Sequence, residues 1–165
     1  MLQSRGVLFA QPAHQIHKGC FDKAWSEKEF ADLLALPTTL LWIDETGLLL
    51  CSHVADEMEI LTFGVLPEFR RQGLAQTMLN QMFDYARQKQ VQRIFLDVAE
   101  DNMPAIKLYE KMGFLKVYCR KGYYQNGKKD GNGNCKLSPT SCREAIANVI
   151  HSSPKKAAPT IGSSV

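Results

Sequence analysis

Six consecutive residues, Arg70-Arg71-Gln72-Gly73-Leu74-Ala75, have the types and order that can hold an anion. They lie where an apolar run ending at Val65 gives way, past Pro67, to Leu74, Met78, Leu79, Met82 and Tyr85, which recur with helical spacing. A strand-to-helix junction gathers free backbone N–H groups at the positive end of a helix dipole, and a glycine there lets an anion approach the backbone closely. A diphosphate fits. Solvated Arg and Gly in an ordinary helix-entry loop would give the same six letters, so their weight depends on context. Tyr123 and Tyr124, after the last clear strand, are either packing residues or one wall of a peptide slot. His14 and His17 at i, i+3, and the set Cys135, Cys142 and His151, lack the spacing of a structural metal site, so no metal is expected.

These residues must be positioned by an alternation of short strands and helices. Val7 to Ala10 is expected as a first edge strand and His14 to Cys20 as a helix. Ser26-Glu27-Lys28-Glu29 is a capping box; Phe30, Leu33 and Leu34 share one face of the helix it starts, and Pro37 stops it. Thr39 to Ile43 and Leu48 to Val54 flank Asp44-Glu45-Thr46-Gly47, a hairpin pattern in which Gly47 would supply a positive φ, and Met58 to Val65 completes an antiparallel meander. The helix from Gly73 to about Gln88 follows, then a strand from Arg93 to Ala99. Pro104 suits the first turn of a helix carrying Ile106, Leu108, Tyr109 and Met112, Gly113 caps it, and Phe114 to Lys121 is a further strand. Asn126 to Asn134 has the composition of a loop, Ser141 to Ile150 is expected as a short helix, and the last dozen residues as disordered. The folded domain is drawn at 1–137, with 138–165 as a C-terminal extension.

Bulk properties set limits on the rest. The 165 residues, 45% of them apolar, suffice for one domain with a core. No apolar run approaches the roughly 20 residues that cross a bilayer, and Met1 to Arg5 lacks a signal peptide's apolar stretch, so a cytoplasmic protein without a membrane partner is expected. Five cysteines with no C-x-x-C pair suit reduced thiols. A net charge of +3 permits a phosphate-bearing ligand and is too small to argue for direct nucleic-acid binding.

Arg70 to Ala75 has the form R-x-x-G-x-A and resembles the acetyl-CoA signature of the GNAT superfamily; Asn102 with Ala105, Leu108-Tyr109-Glu110 and Gly113-Phe114 is similar to that superfamily's second motif. Within it, Trp25-Ser26-Glu27, Glu59-Ile60-Leu61-Thr62 and Arg120-Lys121-Gly122-Tyr123-Tyr124 resemble the bacterial ribosomal-protein-alanine N-acetyltransferases. The resemblance runs from about Phe21 to Tyr124. It implies a mixed α/β fold: a twisted, mostly antiparallel sheet with helices on both faces, splayed after Val65 so that acetyl-CoA enters like an extra half-strand. It implies acetyl transfer from acetyl-CoA to an amine, directly in a ternary complex. Phe63, Gly64 and Val65 would expose backbone groups to the acetyl and pantetheine arm; Arg71, Gln72, Gly73, Leu74, Ala75 and Gln76 would bind the diphosphate; Asn102 would hydrogen-bond the cofactor. Tyr109 would be the general acid for the departing thiolate, and Asp97 stands where the family has the glutamate that acts as general base. Tyr123 and Tyr124 would border the acceptor, a protein α-amine such as the N-terminal alanine of a ribosomal protein.

Two departures qualify this. Asp97 is one methylene shorter than the family's glutamate, which favours proton removal through a water. An α-amine with a pKa of about 7.7 to 8.0 needs less help than a lysine at about 10.4, a difference of about 2.5 units or roughly 3.5 kcal/mol. The short base therefore fits N-terminal acetylation better than lysine acetylation. Secondly, Gly131 to Pro139 offers only Cys135 and Leu137 as apolar positions, so the closing strand is expected to be absent or very short. The alternatives are a GNAT enzyme acting on lysine, a polyamine or a small amine, and an acetyl-CoA-binding module without catalysis.

Overall fold

A computed structural model describes residues 2–4, 6–120, 124–125, 128–129 and 134–139. In chain order the elements are β1 (Leu2–Ser4), α1 (Ala10–Cys20), α2 (Glu27–Leu34), β2 (Thr39–Ile43), β3 (Gly47–Val54), β4 (Glu57–Val65), α3 (Leu74–Gln88), β5 (Arg93–Ala99), α4 (Met103–Lys111), β6 (Phe114–Arg120), β7 (Tyr124–Gln125), β8 (Lys128–Lys129) and β9 (Asn134–Pro139). Seven strands form one sheet in the order β1-β2-β3-β4-β5-β9-β6, and β7 pairs with β8 apart from it. Only β4 and β5 run parallel; the other neighbours are antiparallel. The expected mixed α/β architecture is the observed one.

Helices cover both faces. Phe30 and Leu34 of α2 and Ala10 and Ala13 of α1 pack on Leu41, Ile43, Leu48 and Leu50. On the other face Met78, Leu79, Met82 and Phe83 of α3, with Ile106 and Tyr109 of α4, pack on Leu40, Trp42, Leu49, Met58 and Ile60. Alternate residues of β2 and β3 thus face different cores, which is why both strands are continuous apolar runs rather than alternating ones. The expected capping box starts α2: the Glu29 N–H donates to Ser26 Oγ at 3.2 Å, and the Ser26 N–H donates to Glu29 Oε2 at 2.6 Å.

Three expectations need correction. Val7 to Ala10 is not a strand: Val7–Phe9 is a 3-10 turn leading into α1, and the edge strand is Leu2–Ser4. Val7 and Leu8 are 52% and 88% exposed, so those apolar side chains have no sheet face to join. Gly47 does not supply a positive φ. The turn is closed by Asp44 Oδ1, which accepts from the N–H groups of Thr46 at 2.8 Å and Gly47 at 3.2 Å. The glycine is required instead by proximity, since a Cβ at 47 would stand 2.6 Å from the Gly64 carbonyl oxygen. The closing strand exists as the six-residue β9, inserted between β5 and β6. Hydrogen-bonded to a neighbour on each side, it has ladders available that do not depend on apolar alternation. The helix expected over Ser141 to Ile150 and the disordered tail lie outside the described residues.

Candidate active site

The site begins with a mismatch between two strands. β4 and β5 are in register from Glu57↔Arg93 to Ile60↔Leu96, and there their pairing ends. Beyond that point β4 runs on through Val65, while β5 turns to β9, with Asp97 opposite Lys136. The gap is prepared at the very next residue of β4. Leu50 pairs with Thr62 and Cys51 with Ile60, so Leu61 is an extra residue in β4, and a bulge of this kind bends and twists the strand that carries it. Facing the gap, the backbone groups of Phe63, Gly64 and Val65 are left without a β5 partner.

Beyond β4 the chain makes a tight entry into α3. Arg71 has φ +63° and Gly73 φ +81°, both left-handed, and Gly73 is the N-cap with no side-chain hydrogen bond to the first turn. Left-handed residues in such a loop turn successive N–H groups inward into an anion-binding nest. A Cβ at Gly73 would meet nothing within 4 Å, so this glycine answers to its φ rather than to crowding. Arg70 is held back toward the strand, its Nε donating to the Val65 carbonyl at 2.9 Å.

A cleft of about 580 Å³ runs from the gap to the α3 entry. Of the expected site residues it gathers Phe63, Gly64, Val65, Arg71, Gly73, Leu74, Ala75, Gln76, Asn102 and Tyr109. Asn102 caps α4, its Oδ1 accepting from the Ala105 N–H at 3.3 Å. Tyr109 is 6% exposed, with Phe114 at 5.6 Å and Phe63 at 6.4 Å between ring centroids. Burial pushes its hydroxyl above the ordinary value of 10.0, with the Cys51 thiol adding to the effect, so the group stays protonated in the physiological range. Tyr109 is thus both a core aromatic and a cleft residue.

Two expected residues stand elsewhere, and the side chains of two more lie outside the described residues. Gln72 is exposed and its amide donates to the Glu68 carbonyl at 3.3 Å. Asp97 is exposed and lies on the face of β5 opposite Ile94, Leu96 and Val98, which pack into the α3 and α4 core together with Tyr109. Asp97 and Tyr109 therefore approach the gap from opposite faces of the sheet. Tyr123 lies outside the described residues, and of Tyr124 the backbone alone is described, at the start of β7.

The sequence reading missed Cys20 and Phe21, which also line the cleft. A Cβ at Gly64 would stand 2.9 Å from Cys20 Sγ and 3.0 Å from Phe21 Cε2, so the end of α1 lies directly on the cofactor-side strand. Contact between residues 43 or more positions apart leaves no periodic trace; Gly64 in an apolar strand was the one available signal. A larger hollow of about 670 Å³ adjoins the cleft and shares Cys20, Phe21 and Arg70 with it, but none of the expected site residues lines it.

Comparison with known proteins agrees with this geometry. Residues 10–114 match the family described as Acetyltransferase (GNAT) family. The chain is 29% identical over 124 residues to the [ribosomal protein bS18]-alanine N-acetyltransferase of Escherichia coli K12, covering 72% of this chain and 84% of that protein. It is 30% identical over 123 residues to the putative enzyme of the same description from Bacillus subtilis, covering 71% and 82%. The crystal structure of the ribosomal-protein-S18-alanine N-acetyltransferase from E. coli superposes with a TM-score of 0.71 at 25% identity, covering 84% of this chain and 92% of that one. A splayed parallel pair, a nest at the entry to α3 and this likeness have one common reading: the chain belongs to the acetyltransferase (GNAT) family and is an acetyl-CoA-dependent N-acetyltransferase.

Proposed function

We propose that this enzyme acetylates a protein α-amine, with the N-terminal alanine of a ribosomal protein as its acceptor, in the cytoplasm. The observation that carries the reading is the cleft, which opens at the gap between β4 and β5 and is lined by Tyr109, with Asp97 outside it on the other face of β5. The acceptor class follows from the likeness to the bS18-alanine enzymes.

The residues present fit acetyl-CoA. The edge of β4 that lacks a β5 partner at Phe63 to Val65 can take the amide-bearing pantetheine arm as a half-strand, and the cationic nest of Arg71, Gly73 and the first turn of α3 can take the diphosphate. Asn102 and the half-buried Ala105 and Leu108 line the opposite wall. When bound, the thioester supplies the activated acetyl group. Asp97, acting through a water, accepts a proton from the amine on the α1 and α2 face. Tyr109 would donate its phenolic proton to the sulfur leaving on the α3 and α4 face, and burial holds the phenol protonated before the transfer.

The test is thiol release from acetyl-CoA with three acceptors: a peptide beginning with Ala, the same peptide N-terminally blocked with one free lysine, and spermidine. At least tenfold higher kcat/KM for the Ala peptide is expected. Equal or better use of the lysine peptide or of spermidine refutes the α-amine assignment; no thiol release with any of them leaves a binding module.

A further inference from the structure

His14 and His17, too poorly spaced for a metal site, have another role in the structure. Both hold the backbone of the same residue, Trp25. His14 Nδ1 donates to the Trp25 carbonyl at 2.7 Å, and the Trp25 N–H donates to His17 Nδ1 at 3.2 Å. An imidazole that accepts at Nδ1 carries its proton at Nε2, and His17 Nε2 donates to Thr62 Oγ1 at 3.1 Å. His17 is only 3% exposed; its ring lies 4.3 Å from Phe21 and 5.3 Å from Trp25 between centroids, with Phe30 edge-on at 5.4 Å.

The anchor points are not arbitrary. Thr62 is the residue after the bulged Leu61 and before Phe63, on the α1 and α2 face of the sheet that also presents Asp97. Trp25 belongs to the loop between α1 and α2, whose first residue, Phe21, lines the cleft. We propose that His17, assisted by His14, is a positioning residue that fixes the Phe21 to Ser26 loop against β4 and thereby sets the affinity for the acceptor. The inference rests on the proposed entry of the amine from the Asp97 face.

Its chemistry depends on a neutral ring, because a proton on Nδ1 would set two N–H donors against each other. Burial lowers the His17 pKa from its ordinary 6.5, the neighbouring His14 lowers it further, and Glu29 opposes both. His14 is on its own helix and Glu29 on α2; β4 and the loop present the uncharged Thr62, Phe21 and Trp25. With the folded pKa below 6.5, the clasp is intact at neutral pH and opens as the pH falls below about 6.5 toward that lowered value.

The experiment measures acceptor KM and kcat between pH 5.5 and 8 for the wild type, His17→Phe, His17→Gln and Thr62→Val, with acetyl-CoA Kd by calorimetry. The acceptor is whichever of the three named above the wild type uses best. His17→Phe keeps the ring stack and loses both hydrogen bonds. It should raise acceptor KM at least about tenfold with acetyl-CoA Kd changed less than about threefold. His17→Gln, which can accept and donate but does not titrate, should recover most of the affinity and lack the wild type's rise in KM in acid. Thr62→Val should raise KM alone but add little on top of His17→Phe. Equal changes in KM and Kd, or a lowered Tm with KM unchanged, make His17 a packing residue and overturn the proposal. If His17→Phe does not fold, an unchanged KM in Thr62→Val overturns it as well. Turnover with no acceptor overturns the proposed function and this inference with it, whereas turnover with an unmoved KM overturns this inference alone.

Discussion

Tyr109→Phe separates the two roles that Tyr109 occupies in the structure. The ring is 6% exposed and is held by Phe114 at 5.6 Å and Phe63 at 6.4 Å, contacts that phenylalanine keeps. One oxygen is lost, so folding stability should change by no more than about 1 kcal/mol. Loss of a positioned acid costs about 10²-fold in rate, which is about 2.7 kcal/mol on the barrier. The catalytic effect should therefore exceed the stability effect by a wide margin. Thiol release under saturating substrates gives kcat, and calorimetry gives acetyl-CoA Kd, expected within about threefold of the wild type. The pH profile adds a second reading. Because the folded pKa of Tyr109 is raised above 10.0, the protonated form that acts as acid persists at every pH below that value. Wild-type kcat should show no alkaline decline between pH 8 and 10. A kcat within about threefold of wild type in Tyr109→Phe refutes the assignment, whereas a wild-type decline near pH 9 that the variant lacks would refute only the raised pKa.

Three further outcomes are expected. Gly73→Glu should fold, at a cost of about 1 to 2 kcal/mol for a side chain at φ +81°, yet lose the rise in Tm that acetyl-CoA gives the wild type; a preserved rise in the folded variant would show that the nest does not hold the diphosphate. Asp97→Asn should move the activity profile to higher pH, because an α-amine of pKa about 7.7 to 8.0 must then lose its proton unaided, and an unmoved profile removes the base role. Ser26→Ala breaks the capping box of α2 and should lower Tm by roughly 2 to 4 °C, read by calorimetry, with no change if the cap contributes nothing.

The cleft is more legible in the sequence than the proposed reacting pair. Phe63 to Val65 and Gly73 to Gln76 were legible because a strand, a glycine-bearing junction and a helix are local patterns, and adjacency in the chain becomes adjacency in the cleft. β9 was not, because its pairing with β5 and β6 is formed by backbone groups common to every residue. Neither was the hold of His14 and His17 on Trp25, although both histidines and the tryptophan stood out. Their i, i+3 spacing placed two imidazoles on one helix face; that the face looked inward at a loop's backbone rather than outward at a metal is a matter of tertiary packing. Gly47 shows the same limit from the other side. A hairpin glycine was read through its φ, and the structure uses its missing Cβ.

In the proposed reaction the sheet divides the chemistry between its faces, and this makes the proposals separable. Tyr109 and the cleft walls at Asn102 and Leu108 belong with α3 and α4. Asp97, Thr62 and His17 lie on the α1 and α2 face, and the Phe21 to Ser26 loop joins those two helices while Phe21 also reaches the cleft. Side chains from the two sets can act on one reacting atom only through the opening left where β4 parts from β5 after Ile60↔Leu96. An amine attacking from one face and a thiolate leaving from the other is the arrangement that direct transfer needs, since base and acid then never compete for one position. It also predicts how defects sort. Substitutions on the α3 and α4 face should alter cofactor affinity or departure of the thiolate while acceptor KM stays close to wild type; those at His17 or Thr62 should do the reverse. A residue such as Gly64, whose backbone faces the gap while Cys20 and Phe21 occupy the space a Cβ would need, is where the two effects should coincide.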